Sequence, residues 1–231
     1  MPPADTCAPV HGAPTQLTAL PAAIAALAPR LREGLLPLGL PVALDQPLLG
    51  YLALLLQWNG AYNLTAVRDP EQMLGLHLLD SLSVLPYLSG DSLVDIGSGA
   101  GLPGIPLAIA RPQLQVSLVE PVGKKARFLR EVVRQLKLDN VRVHACRGEQ
   151  LDEPANYDCL SARALGSLAQ LIAFGGHLLK AEGRLLAMKG QWPAEELTAL
   201  PPGWMLQDSA RLSVPEVAGE RHLLVLARTA T

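Results

Sequence analysis

The stretch Leu93-Val94-Asp95-Ile96-Gly97-Ser98-Gly99-Ala100-Gly101-Leu102-Pro103-Gly104 runs from a short apolar segment into a cluster of glycines. Residues 93–96 read as a buried strand and residues 104–110 as the helix that follows. Between them the glycines permit positive φ and let the backbone approach a ligand closely. The unit predicted is strand, ligand loop, helix.

Three ligands compete for such a loop. Gly99, Gly101 and Gly104 spell the GxGxxG of a dinucleotide site. A nucleoside-triphosphate P-loop is excluded, because no Gly-Lys-Ser/Thr follows. The alternating Gly97, Gly99 and Gly101, with Asp95 two residues ahead, fit S-adenosylmethionine better. A dinucleotide turns its pyrophosphate toward the helix N-terminus, where a neighbouring acid is unfavourable. S-adenosylmethionine carries a sulfonium and an ammonium, which such an acid favours. Glu120, ending the next strand, suits two ribose hydroxyls in either case and does not discriminate.

Downstream, apolar runs at 114–119, 141–146, 157–162 and 184–188 alternate with helical stretches at 124–137 and 167–179. That alternation predicts βαβ units and a parallel sheet covered by helices on both faces. Segments 203–212 and 222–228 read as two strands joined by a loop, an antiparallel finish. Upstream, residues 15–90 are rich in Leu and Ala, with helical spacing at Leu48, Leu52, Leu55 and Leu56 and at Met73, Leu76 and Leu79. Three or four helices are expected there, broken by Pro37, Pro41 and Pro47, with Asp69 capping one that starts at Pro70. Residues 1–14, with Pro2, Pro3, Pro9 and Pro14, read as a loose tail. The division is a tail at 1–14, a helical subdomain at 15–90 and an α/β domain at 91–231.

The 231 residues are 49% hydrophobic, which allows a large core and excludes disorder over most of the length. With 19 Lys+Arg against 21 Asp+Glu the net charge is −2. Near-neutrality excludes a globally basic nucleic-acid binder but not a local basic face. Cys7, Cys146 and Cys159 show no CxxC spacing and join no Cys/His cluster, so neither a disulfide framework nor a metal site is expected. Cys146 and Cys159 lie in apolar strand contexts and read as core residues. Met1-Pro2-Pro3-Ala4-Asp5 lacks a basic leader, and the apolar stretches 19–28 and 48–56 are too short to span a bilayer. A cytoplasmic protein with no membrane partner is expected.

Further elements follow in order. They are Trp58-Asn59-Gly60-Ala61-Tyr62-Asn63-Leu64-Thr65, His77-Leu78-Leu79-Asp80-Ser81, DIGSGAGLPGIPLAI at 95–109, Lys124-Lys125 with Phe128-Leu129, Arg147-Gly148-Glu149, Ala162-Arg163-Ala164 and Lys189-Gly190. Together they resemble the RsmG family, also called glucose-inhibited division protein B, over residues 48–190. The GLPGIP extension and the WNxxxNLT element are specific, whereas many methyltransferases share the glycines. The resemblance implies a class I S-adenosylmethionine-dependent methyltransferase. Its fold would be Rossmann-like α/β, a mostly parallel seven-stranded sheet with an antiparallel last strand and an N-terminal helical cap. It further implies methylation of N7 of one guanine in 16S ribosomal RNA, free or in the small ribosomal subunit. A monomer is expected separately, because no apolar surface in the sequence demands a partner copy. By matched position, Gly97 and Leu102 fall in the cofactor loop, Gly148 and Glu149 near the adenine, and Arg163 at the site mouth. The family usually carries Ala or Val where Gly148 stands.

Guanine N7 presents an in-plane lone pair and no proton, so its methylation needs no general base. Proximity and alignment can suffice, and no Ser-His-Asp or Cys-His arrangement is required. Arg163, Lys189 and Asn63 are the candidate catalytic side chains, as donors to the guanine O6. The candidate cofactor residues are Asp95, Gly97, Gly99, Gly101, Leu102, Glu120, Gly148, Glu149 and Arg163. His77 reads as a packed histidine, and Asp80-Ser81 fits a helix cap or a substrate contact equally. Asn63 and Thr65 also fit a simple turn, and Trp58 and Tyr62 fit the core. Between 121 and 147, Lys124, Lys125, Arg127, Arg130, Arg134, Lys137, Arg142 and Arg147 meet only Glu131 and Asp139, a local net charge of +6. Lys124, Lys125, Arg127 and Arg134 are the candidate RNA contacts. Two other readings compete: a methyltransferase of another acceptor, such as a protein or small molecule, and a non-catalytic S-adenosylmethionine-sensing RNA-binding module. An NAD-dependent reductase is disfavoured by Asp95.

Overall fold

The computed structural model describes residues 19–229; the tail expected at 1–14, with Cys7, lies outside them. A seven-stranded sheet forms the centre. Its strands are β1 (Ser92–Ile96), β2 (Gln115–Val119), β3 (Val141–His144), β4 (Tyr157–Arg163), β5 (Leu179–Lys189), β6 (Trp204–Arg211) and β7 (His222–Arg228). The order is β3-β2-β1-β4-β5-β7-β6. Strands β1 to β5 pair in parallel, and β7 runs antiparallel to both β5 and β6. The finish is therefore a hairpin whose second strand lies next to β5. Strand β5 starts at Leu179, earlier than expected, because the preceding helix ends at Gly175 and a tight turn at Gly176–Leu178 frees Leu179 to pair with Tyr157.

Ahead of the sheet come α1 (Ala22–Ala25), α2 (Ala28–Leu35), α3 (Asp45–Tyr62), α4 (Pro70–Met73) and α5 (Asp80–Leu82), with a wide π-helical turn at Leu74–Leu79 joining the last two. Asp69 caps α4, its side chain accepting the Glu71 N–H. Pro37 and Pro41 fall in the link between α2 and α3. The break expected at Pro47 is corrected: Pro47 sits in the first turn of α3, where its missing N–H has no intrahelical partner to lose. Interleaved with the strands are α6 (Gly104–Ala110), α7 (Gly123–Leu136), α8 (Leu168–Gly175) and α9 (Ala194–Thr198). Ser167 and Gln170 form a reciprocal capping box at the start of α8.

Successive residues of β1 point to opposite faces, as the strand period demands. Leu93 joins a buried cluster that runs from Ile24 through α3 and α7 to Val225, and Val94 joins a second one around Ile96, Leu160 and Leu171. The N-terminal helices thus share a core with the sheet, which lets them brace the site. Among the described residues no helix is long and apolar enough to cross a membrane.

Candidate active site

Parallel α/β sheets bind ligands at the carboxyl ends of their strands. At the end of β1, Gly97, Gly99 and Gly101 have φ of 64°, 60° and 94°, a region that side chains resist and glycine does not. The loop is braced from several elements. Ser98 Oγ donates to the Asp95 carbonyl at 2.7 Å. Glu120 accepts the Gly99 N–H and the Val122 N–H, each at 2.8 Å. Tyr51, on α3, donates its hydroxyl to the Ala100 carbonyl at 2.7 Å. Burial raises the Tyr51 phenol above its ordinary range, so it remains a donor.

The expectation that Asp95 faces a bound cation is corrected. Asp95 is 0% exposed and lies beneath the loop. Its carboxylate accepts from Ser161 Oγ at 2.8 Å and from the Gly104 N–H at 3.3 Å, tying β1 to β4 and to the start of α6. Burial pushes its pKa up to about 6. Leu102 is also buried, and its amide bonds to the Ser98 carbonyl at 3.0 Å, so its side chain belongs to the core. Glu120 is nearly buried, but each oxygen keeps a lone pair for a sugar hydroxyl.

Beside Gly97 opens a slot of about 90 Å³, walled by Ile96, Pro121, Gly148, Glu149 and Phe174. Its apolar walls and its acid suit a flat, amine-bearing base such as adenine. A Cβ at Gly148 would stand 2.5 Å from the Phe174 carbonyl oxygen. Glycine here lets α8 close on the slot, and a side chain at this position does not fit this backbone. Together the open glycine backbone, the slot and Glu120 fit S-adenosylmethionine. Leu165 packs over Gly97 and lines both the slot and a larger cavity next to it.

That cavity, about 450 Å³, lies between the ends of β4 and β5, the start of β7 and the turn at Leu74–Leu79. Arg163 leaves β4 to donate to the Leu76 carbonyl at 2.9 Å and to Asp80 Oδ2 at 2.8 Å. Arg221 Nε lies 3.3 Å from Asp80 Oδ1. Asp80, its side chain 5% exposed, is thus one carboxylate shared by two guanidiniums that both line the cavity. The helix-cap reading of Asp80 falls away, since its side chain caps nothing. His77 is buried, with Nε2 3.0 Å from Thr65 Oγ1 and Nδ1 without a partner. Burial, reinforced by Arg163, pushes its pKa down to about 4, so it is neutral near pH 7.

The expected catalytic trio is divided. Arg163 and Lys189 meet at the cavity, but Lys189 already donates to the Gly166 carbonyl at 2.7 Å and to Glu196 at 2.9 Å. Asn63 does not line the cavity; it is exposed at the end of α3, with φ 49°, and its Oδ1 accepts from Arg68 at 2.5 Å. The buried asparagine of that element is Asn59, which donates to the Val67 carbonyl at 3.1 Å and accepts the Thr65 N–H at 2.9 Å. Trp58 packs against Tyr62 and Phe128, as a core residue does. Arg163, expected on the cofactor list too, is placed on the cavity and not on the slot.

On α7, Lys124, Lys125 and Arg127 have no ion-pair partner among the described residues, whereas Arg134 is held by Glu131 at 2.6 and 2.9 Å. Arg134 thus differs from these three in sharing its charge with Glu131. Tyr51, Ser161, Leu165, Phe174 and Arg221 escaped the sequence reading. Only Tyr51, a polar tip in an apolar helix, carried any local signal.

A parallel sheet ending in a braced glycine loop, with a base-sized slot on one side, defines a class I S-adenosylmethionine-dependent methyltransferase. The solved mitomycin 7-O-methyltransferase MmcR shares this fold, with a TM-score of 0.51 at 16% identity, covering 66% of this chain and 54% of that one. Residues 45–224 match the GidB family, described as rRNA small subunit methyltransferase G. A protein of that name from Stenotrophomonas maltophilia (strain R551-3) is 58% identical over 207 residues, 90% of this chain and 96% of the relative. One from Xanthomonas euvesicatoria pv. vesicatoria (strain 85-10) is 58% identical over 208 residues, 88% and 98% of the two chains. The chain belongs to this methyltransferase family.

Proposed function

We propose that this enzyme, a cytoplasmic monomer, transfers the methyl group of S-adenosylmethionine to N7 of a guanine in the 16S rRNA of the small ribosomal subunit. The observation that carries the reading is the pairing of two spaces at one sheet edge: Leu165 lines both the cofactor slot and the 450 Å³ cavity. Such a volume suits a small planar acceptor. The relatives' names support ribosomal RNA as that acceptor, and the resemblance supports N7.

Bound S-adenosylmethionine supplies an electrophilic methyl on a sulfonium. The chain's own residues hold the acceptor to it. N7 needs no base, and His77, with its pKa pushed down to about 4 and Nε2 beside Thr65, is a poor one. Arg163 and Arg221 carry more N–H donors than Asp80 and the Leu76 and Glu220 carbonyls occupy, leaving some for O6 and for phosphate. One carboxylate between two guanidiniums leaves a single net positive charge. That attracts the polyanion without setting two bare cations against a guanine that becomes positive. Leu76, Leu171, Met188 and Leu212 wall the cavity against water. Outside it, Lys124, Lys125 and Arg127 serve the phosphate backbone.

The test is methylation of small subunits from a strain lacking the modification, with the product base mapped. Label on one guanine at N7 is expected; label on protein, or none, overturns the reading. In the same assay, reversing Lys124, Lys125 and Arg127 to Glu should flatten the plot of log affinity against log salt by about 0.7–0.9 per lost phosphate contact. Arg134→Glu should leave the slope alone. An unchanged slope in the triple variant removes α7 from the RNA face.

A further inference from the structure

Trp192 is 45% exposed, the one aromatic among the exposed large apolar side chains of the described residues. It belongs to neither buried cluster. It follows Lys189 and Gly190, which line the large cavity, on the connection from β5 to α9. Its ring centroid is 5.7 Å from that of His222, with the planes 70° apart. His222 lines the same cavity. An edge-type contact of this kind engages one side of the indole and fixes its position at the rim. The exposure measures how much of it is left open.

We propose that Trp192, buttressed by His222, is a stacking platform for an unpaired base next to the methylated guanine. The inference rests on the function proposed above. A guanine that enters the cavity leaves the stack, and its neighbours lose a partner. An aromatic face at the rim replaces that partner, and it accepts any base because every base has a π-face. Arg221 is on the same wall to meet the intervening phosphate. Lys189 is not available for that task, since Glu196 holds it. A protein partner is the weaker fit. Gly190, Gln191, Ala194 and Glu195, its near neighbours in the chain, are exposed and carry no large apolar side chain, so this connection supplies no apolar patch around it.

The experiment compares Trp192→Ala, Trp192→Leu and Trp192→Phe with the parent in methylation of small subunits and of protein-free 16S rRNA. S-adenosylhomocysteine affinity and melting temperature are measured alongside. The Ala and Leu variants should raise KM by about 5- to 150-fold on both substrates. Phe should recover most of the loss, and cofactor affinity and melting temperature should stay at the parent's values. Leu working as well as Trp would overturn the proposal, because apolar bulk would then suffice. So would a loss of cofactor affinity in step with KM, or a defect on assembled subunits alone, which assigns the indole to a protein. A parent that methylates neither substrate defeats the function itself. An active parent with three indifferent variants defeats only the platform.

Discussion

The donor side of the crevice and the acceptor side are built by opposite means. The donor side is a contiguous run, Asp95 to Gly104, whose shape lies in its backbone: three glycines at positive φ and amides held by Glu120. The acceptor side is assembled from side chains far apart in the chain. Arg163 reaches Asp80 across 83 residues, and Arg221, just ahead of β7, meets the same carboxylate at 3.3 Å. A backbone site fails when its local conformation is denied. A side-chain site fails when a single shared partner is removed.

The sharpest way to break the donor side is Gly99→Asp. A left-handed φ of 60° is unfavourable for aspartate, though less so than for bulkier residues, and the new carboxylate would lie beside Glu120. S-adenosylhomocysteine affinity should fall by at least about 100-fold, a change of roughly 2.7 kcal/mol. A Cβ at this position meets nothing closer than 3.7 Å, so the cost to folding is confined to the strained φ and the melting temperature should fall by only a few degrees. Calorimetric titration checks this; undiminished affinity would show that the loop does not carry the cofactor.

That contrast also sets what the sequence disclosed. Glycines at positive φ leave their mark in the sequence itself, so the strand, loop and helix at 93–110 were legible, as was the Asp69 cap. The acceptor side was not. Residue type groups Asn63 with Arg163 and Lys189, but the left-handed turn ending α3 leaves it exposed, while Asn59 one turn earlier takes the interior. Arg221 carries no local signal. It reaches the cavity because β7 lies antiparallel against β5, and strand order of that kind is set by tertiary packing that periodicity does not encode. Asp95 is legible as a placed acid, but its direction is not. A buried carboxylate beneath a loop and an exposed one facing it have the same sequence.

Asp80→Asn is the matching break on the acceptor side. It keeps the shape and removes the charge that two guanidiniums share. Unpairing buried charges is costly, and the two arginines would repel one another. We expect kcat/KM for small subunits to fall by about 10- to 100-fold, with roughly 2 kcal/mol of stability lost. S-adenosylhomocysteine affinity should not change, because the slot contains none of these groups. If cofactor affinity falls with turnover, the two sides are not separable and the contrast is wrong.

The smallest effect sets one titrating group on each side against the other. Under the loop, burial lifts Asp95 from 3.8 to about 6, so between those values the folded protein keeps a proton that the unfolded chain releases. Its contribution is full below pH 3.8 and is lost as pH rises through 6. In the cavity, burial and Arg163 lower His77 from 6.5 to about 4, so there the unfolded chain keeps a proton that the fold rejects. Its contribution is full above pH 6.5 and is lost as pH falls through 4. From pH 4 to 6 the two slopes oppose each other, each at most about 1.4 kcal/mol per pH unit for one proton. Removing either group exposes the other. Asp95→Asn should make the unfolding free energy rise more steeply with pH than the parent's, and His77→Gln should make it rise less steeply. Urea melts across this range check both. Parallel curves for all three proteins would mean that neither group is shifted by its burial. The reverse order would exchange the two assignments, placing the proton that folding retains in the cavity and not beneath the loop.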